Sequence, residues 1–419
     1  MTELPPSPPA RSTQAHRQGT TYMVVGTLVA AIAAYLFQLV AGRVLGPEAF
    51  APITVLWTIQ FLVFTIVFLP MEQLTIRRLS MADPHAAPWR LFIGVIAVAV
   101  VVSAGFAALT LDQLLDGEPI YLVIVAVLIA AYGGFALARG LLAGHRRYKE
   151  YGLTTMSESV LRLVGAIVIL AVGFGSVGLA WTLVMAPLVI WMWRPLAPEF
   201  GRGGAVVERG TGADLGTFVA ANGASQTIVA AGPLVVGALG ASPTEVSVFF
   251  ETFLLFRAPL TIAYSLIARI LPPFTRFVET GDTKTIRTWA LRLGGLGAIL
   301  GGVGYIVGRA VGPATVALLL GEEFRPTATL AAYAAAGVAI ATIALFAQQI
   351  LIAMRATGIL AISWISGLAA AAFTVVVAGG SPNIRVGAGF LIGETLAFAL
   401  IVITIVLLTR PRESRPTAT

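Results

Sequence analysis

The chain contains no cysteine, which removes disulfides and thiolate metal sites from consideration. Histidine is almost as scarce: His16, His85 and His145 are the only three, and all fall in polar connecting stretches. Neither metal nor nucleophile chemistry suggests itself, so nothing here points to an enzyme or to a bound cofactor. Charge is thin as well, at 11% of 419 residues, against about a quarter in ordinary soluble domains. With 58% hydrophobic residues, that balance argues against a soluble fold. The opening "MTELPPSPPARSTQAHRQGT" lacks the apolar core and small-residue cleavage site of a secretory signal, and its proline content reads as a disordered tail over 1–21.

What the chain does have is apolar runs of about 20 residues, the length that crosses a hydrocarbon layer about 30 Å thick at the helical rise. They imply an all-α polytopic membrane protein of about 12 transmembrane helices, at 22–41, 52–70, 91–110, 120–142, 152–172, 177–193, 216–238, 246–271, 289–308, 326–352, 357–379 and 386–408. The longest polar link, "RPLAPEFGRGGAVVERGTGADLG", separates a six-helix half over 22–193 from another over 216–408, with a linker at 194–215 and a tail at 409–419.

Orientation follows from where Lys and Arg fall, because short cytoplasmic loops retain them. With the N-terminus inside, the inner side holds every Lys and Arg except four outside (Arg43, Arg309, Arg325, Arg385) and two within spans (Arg162, Arg257). The expectation is a multi-pass protein of the cytoplasmic membrane with both termini inside. Its net charge of +7 is then a matter of topology and anionic headgroups, not of nucleic-acid binding.

The two halves echo each other. "ALGASPTEVSVFFETFLLF" (238–256) repeats the layout of "VLGPEAFAPITVLWTIQFL" (44–62), with Leu-Gly and a later Thr in register. A parallel repeat of this kind is a transporter arrangement, with the substrate path between the halves. Other patterns have plainer readings. "GFGSVG" (173–178) matches a dinucleotide fingerprint, but it joins two spans instead of a strand and a helix, so it reads as a turn. "GGLGAILGGVGYIVG" (294–308) spaces glycines by four, as close helix packing requires, with a flexible gating helix as the alternative. "GPATVALLLGEEFRP" (312–326) reads as a short element at the outer surface.

These residues carry a family resemblance. "VVGTLVAAIAAYLFQLVAGRVLGPEAFAPITVLWTIQFL" (24–62) resembles the opening helix pair of polysaccharide and lipid-linked oligosaccharide flippases, with their Leu-Gly-Pro-Glu-x-Phe connection. "LLLGEEFRPTATLAAYAAAGVAIATI" (318–343) is similar to that family's Gly-x-x-Phe approach to helix ten. "TTMSESVLRLVGAIVILAVGFGSVGLA" resembles its fifth and sixth helices. The likeness runs over all twelve spans and identifies the multidrug, oligosaccharide-lipid and polysaccharide exporter superfamily. It implies two six-helix bundles in a V around a central cavity.

Polar groups at bilayer depth are the candidate site residues, since each is costly unless paired or wet. Arg257 lies roughly 16 Å inside the eighth span at the helical rise, with Glu394 in the last span as a cross-helix partner. Glu251 is six residues from Arg257, about 240° around the helix, and turned away from it. Glu158 and Arg162 share one helix face four residues apart; they either lock the fifth helix or form part of a cytoplasmic-facing headgroup site. Gln60, Asn222 and Gln226, with Gln38, Gln348 and Gln349, suit sugar hydroxyls or hold helices together. Glu72, beside Arg77 and Arg78, reads as an interface residue.

The leading expectation is a flippase that carries a polyprenyl-diphosphate-linked oligosaccharide, a cell-envelope polysaccharide precursor, across the membrane by alternating access. Its partners would be that lipid-linked glycan, membrane lipids and polysaccharide-assembly enzymes. The alternative is an exporter of small molecules coupled to H+ or Na+ through Glu251, Glu394 or Glu158. A third class is a non-transporting scaffold for envelope synthesis.

Overall fold

The computed structural model describes residues 10–81, 89–192 and 211–410. Residues 1–9, the core of the expected linker (193–210) and most of the C-terminal tail (411–419) lie outside that description. Among the described residues there is no strand; every expected span falls on helix, with small differences at the ends.

The helices are α1 (Ala10–Val63), α2 (Leu69–Met81), α3 (Trp89–Leu109), α4 (Leu111–Leu114), α5 (Ile120–Gly144), α6 (Tyr148–Val172) and α7 (Gly175–Met185). They are followed by α8 (Thr211–Ala230), α9 (Gly232–Ala238), α10 (Pro243–Phe256), α11 (Ala258–Glu279), α12 (Thr283–Leu320), α13 (Ala328–Ala353), α14 (Thr357–Val377) and α15 (Pro382–Leu408). Among the described residues eight helices are long and apolar enough to cross a membrane, nine if the bent pair α8–α9 counts as one span. The count is below twelve for local reasons. One of the eight, Val25–Arg77, contains two expected spans on either side of the non-helical Gly46. The α10–α11 span is broken at Arg257, and α7 continues only as a short 3-10 segment, Ala186–Met192.

Three sequence expectations are corrected. The first helix starts at Ala10, so part of the stretch expected as a disordered tail is helical; a helix already nucleated downstream extends through good helix formers such as Ala10, Arg11 and Gln14 at little cost. The segment 312–326 is no separate surface element up to Leu320, because α12 runs 38 residues straight through Pro313. Gly312, Val316, Ala317 and Leu320 are buried, and that packing outweighs the one lost hydrogen bond. Glu72, expected as an interface residue, is buried and paired with Arg139, as described below.

The chain forms two compact units, Met1–Val207 and Glu208–Thr419. Within the first, α1 packs on α6, α5 on α2 and α3, and α6 on α7. Within the second the equivalent pairs meet: α8 on α14, α13 on α11 and α12, and α14 on α15. The duplication reaches the residues. Gly46 and Gly240, aligned by the repeat, both take positive φ (74° and 83°), and Leu precedes each. Thr58 and Thr252 are aligned and buried, and each donates its hydroxyl to the carbonyl four residues back, at 2.8 and 2.6 Å.

Regularity then fails at the same repeat position. In the first unit a π-helical turn, Phe64–Phe68, follows Val63, with the Leu69 N–H bonded to the Phe64 carbonyl. Pro70 explains it: its ring would strike the carbonyl four residues back, and a wider turn relieves the clash. In the second unit the aligned position is Arg257, where α10 ends and α11 begins, with a proline, Pro259, in the first turn of α11. α8 and α9 also part before a proline, Pro233, with a bend of 61°.

The glycine pattern of α12 is used for packing. A Cβ at Gly308 would meet the Ala331 carbonyl oxygen at 2.6 Å, and one at Gly304 would meet that of Ala335 at 2.9 Å. The α12 and α13 backbones therefore touch where a side chain would hold them apart.

Candidate functional site

Polar side chains at bilayer depth form separate groups in the two units. In the first, Glu158 and Arg162 meet on α6 at 3.2 Å with both side chains 6% exposed. The Tyr132 hydroxyl, from α5, donates to Glu158 Oε1 at 2.6 Å and accepts from Arg162 Nη1 at 2.9 Å. Ser159 donates to Glu158 Oε2 at 2.7 Å and accepts from Arg162 Nη2 at 3.2 Å. Trp57, stacked on Phe37, lies under the guanidinium at 4.5 Å. Both charges are thus neutralised and bonded inside one bundle, which ties α6 to α5 and α1. These contacts link α6 to α5 through Tyr132 and to α1 through Trp57.

A second buried group lies in the same unit, between α2 and α5. Glu72, on α2, is paired with Arg139, on α5, at 3.1 Å. The Tyr151 hydroxyl accepts from Arg139 and donates to Glu72 Oε1 at 3.1 Å. Phe64, Phe135 and Tyr151 pack against the guanidinium. Sequence reasoning placed Arg139 among the inner-side charges and gave it no role. Glu72 and Arg139 lie at equal depth on different spans, and only a contact map joins them.

The second unit is built differently. Where the repeat puts Trp57 in unit one, unit two has Glu251, fully buried on α10. Neither of its carboxylate oxygens is hydrogen-bonded among the described residues, and the same holds for Glu394 on α15. Arg257 is half-buried at the α10–α11 break and stands within electrostatic reach of Glu394. The helices around it are held in register: Asn383 donates to the Glu245 carbonyl at 3.1 Å, and the Phe253 and Phe390 rings meet at 4.9 Å. On α8, Ile228 lies against Gly393, which sets Gln226 near the depth of Glu394. Gln226 is 8% exposed and Asn222, one turn away, is half-buried.

The structure therefore brings Arg257, Glu394 and Gln226 to one level of unit two, with Glu251 on the same α10. Gln60 is in the other unit, on α1, and buried at 9% exposure. Gln348 accepts from the Trp364 indole at 3.1 Å, joining α13 to α14, and Gln349 donates to the Leu345 carbonyl of its own helix at 3.0 Å. Gln38 is fully buried, with neither amide atom bonded among the described residues.

Broken spans with ionisable groups at the break are how transporter folds admit polar backbone to the membrane interior. Comparison with solved structures bears on the fold. The fold is that of MATE-like membrane transporters. The chain is similar to a multidrug resistance MATE family transporter of the MOP superfamily in an inward-facing conformation, at TM-score 0.68 and 14% identity, over 92% of this chain and 98% of that one. It is also similar to a MOP superfamily transporter from Pyrococcus furiosus, at TM-score 0.57 and 15% identity, over 94% of this chain and 95% of that one. No protein-family model matches the chain. Among curated proteins it is similar to the uncharacterized protein Rv1510 of Mycobacterium tuberculosis, 28% identical over 365 residues, covering 82% of this chain and 80% of that protein. The uncharacterized protein Rv3630 of the same species is 26% identical over 344 residues, with 77% of each covered.

Proposed function

We propose that this transporter is a flippase that carries a polyprenyl-diphosphate-linked oligosaccharide across the cytoplasmic membrane. One observation carries the reading: an arginine, Arg257, stands half-buried at a helix break in mid-span. A cation placed there offsets the cost of bringing a diphosphate through hydrocarbon. Gln226 and Asn222 supply neutral hydrogen-bonding groups for sugar hydroxyls. The Leu-Gly-Pro-Glu-x-Phe connection supports the same family, and Gly46 within it makes the positive-φ turn between the first two spans. In the Pyrococcus furiosus MOP superfamily transporter, reverse polarity of the binding pocket suggests a different function, a precedent for a pocket in this fold whose charge differs with its role.

A second reading is favoured by one feature. Glu251 and Glu394 are buried carboxylates without hydrogen bonds among the described residues, as expected of proton or sodium sites in an ion-coupled exporter of small molecules. Arg257→Ala separates the two. As a flippase, the variant stays in the membrane while lipid-linked glycan precursors accumulate in the cell. Normal glycan export in that variant, together with loss of ion-driven drug efflux in Glu251→Gln, would establish the exporter instead.

A further inference from the structure

A groove of about 590 Å³ runs between α3 and the π-helical turn of the first unit, within the range of small-molecule sites. Val63 and Val67 form one wall; Gly94, Val98, Val102 and Ser103 lie along the other. From Leu91 to Ser103 the α3 wall is about 18 Å long at the helical rise, most of one leaflet. Val98 and Val102 are 63% and 64% exposed, so this wall stays open along its length. The π-helical turn shapes it by displacing Val63 and Val67 from a regular α-helical register.

The two ends of these spans differ in charge. At the Leu91 end Arg77 is exposed on the last turns of α2. At the other end Asp112, Asp116 and Glu118 follow α3, with Glu48 near Asp116, against Arg43. Partial burial pushes the Asp116 carboxyl up from its ordinary range, and the charges of Glu48 and Glu118 add to that rise. An anionic headgroup is attracted to the first end and repelled from the second. β-branched valines line both walls and Gly94 leaves a gap in the α3 wall, a lining that suits a methyl-branched chain.

We propose that this groove holds the isoprenoid tail of a phosphate-bearing polyprenyl lipid, entering from the leaflet at the Arg77 end, with the phosphate beside Arg77. The inference rests on the flippase reading and names where the carrier's tail rides. A Cβ at Gly94 meets nothing within 4 Å, nor does one at Gly105 on the same helix outside the groove, so both positions accept a large residue without disturbing the bundle.

The test uses the full chain in phosphatidylcholine vesicles with a diazirine-bearing polyprenyl monophosphate, and in parallel a diazirine-bearing phosphatidylglycerol. The polyprenyl probe is expected to label the peptide 91–103. Labelling should fall about tenfold in Gly94→Trp, the loss of roughly 1.4 kcal/mol of tail binding, drop in Arg77→Glu, and persist in Gly105→Trp. Equal labelling by phosphatidylglycerol would mark ordinary boundary lipid and overturn the proposal, as would undiminished labelling in Gly94→Trp. Labelling needs no transport, so the two readings fail separately. Absent labelling with normal glycan export removes the groove alone; specific labelling without any glycan export removes the flippase alone.

Discussion

Glu158 and Arg162 lie four residues apart on α6 and meet at 3.2 Å in a pocket closed by Tyr132, Ser159 and Trp57. A pair this enclosed is costly to break from one side, because the remaining charge loses both partner and water. Arg162→Met is expected to destabilise the first unit by about 3–5 kcal/mol, read as a lower midpoint of thermal unfolding in detergent. The double variant Arg162→Met with Glu158→Leu should recover part of that loss. Equal stability of the single variant and the parent would refute the lock.

The α12–α13 contact gives a sharper steric test. Gly308→Val places a Cβ 2.6 Å from the Ala331 carbonyl oxygen, whereas Gly302 has open space. Overpacking of this kind costs about 1–3 kcal/mol, so Gly308→Val should unfold at lower temperature and Gly302→Val at nearly the parent's. The reverse order would contradict the packing role of the glycine pattern.

Glu251 has no protein hydrogen bond to lose among the described residues. Glu251→Gln removes a buried ionisable group at constant shape, and its unfolding temperature is expected to equal or exceed the parent's. A clear drop would reveal a partner for the carboxylate.

Asp282 caps α12, its Oδ1 accepting from the Thr285 N–H at 3.0 Å. Hydrogen bonds from Thr285, side chain first and then backbone, with the Lys284 charge adding, hold its carboxyl below the ordinary value of 3.8. A depressed carboxylate stabilises the fold above the unfolded value and stops doing so as pH falls through the folded one. The stability gap between the parent and Asp282→Asn should therefore be constant near neutrality and close as pH drops below 3.8. A gap that widens on acidification would reverse the assigned sign.

How much of this was legible in the sequence depended on the range of the interaction. Spans were legible because twenty apolar residues in a row have one use, and the repeat was visible because Leu45-Gly46 and Thr58 recur as Leu239-Gly240 and Thr252. The α6 pair was visible too, since i and i+4 share a face. Interhelical partners were not: Glu72 stands beside Arg77 and Arg78 in sequence, yet pairs with Arg139 on α5 at 3.1 Å. The π-helical turn and the break at Arg257 are local, but each reflects a proline working against its helix, and a hydropathy pattern carries no trace of the outcome. The groove beside Gly94 depends on the spacing of two helices, which no single segment encodes.

The central claim is that Arg257 serves the passage of an anionic, lipid-borne headgroup. The most direct measurement reconstitutes the parent and Arg257→Ala in vesicles with a polyprenyl-diphosphate-linked oligosaccharide in both leaflets, and follows over time the share of sugar that an added lectin can reach. The account predicts that lectin access rises past the outer-leaflet share with the parent and stays at that share with Arg257→Ala. Equal rates for the two proteins would contradict it.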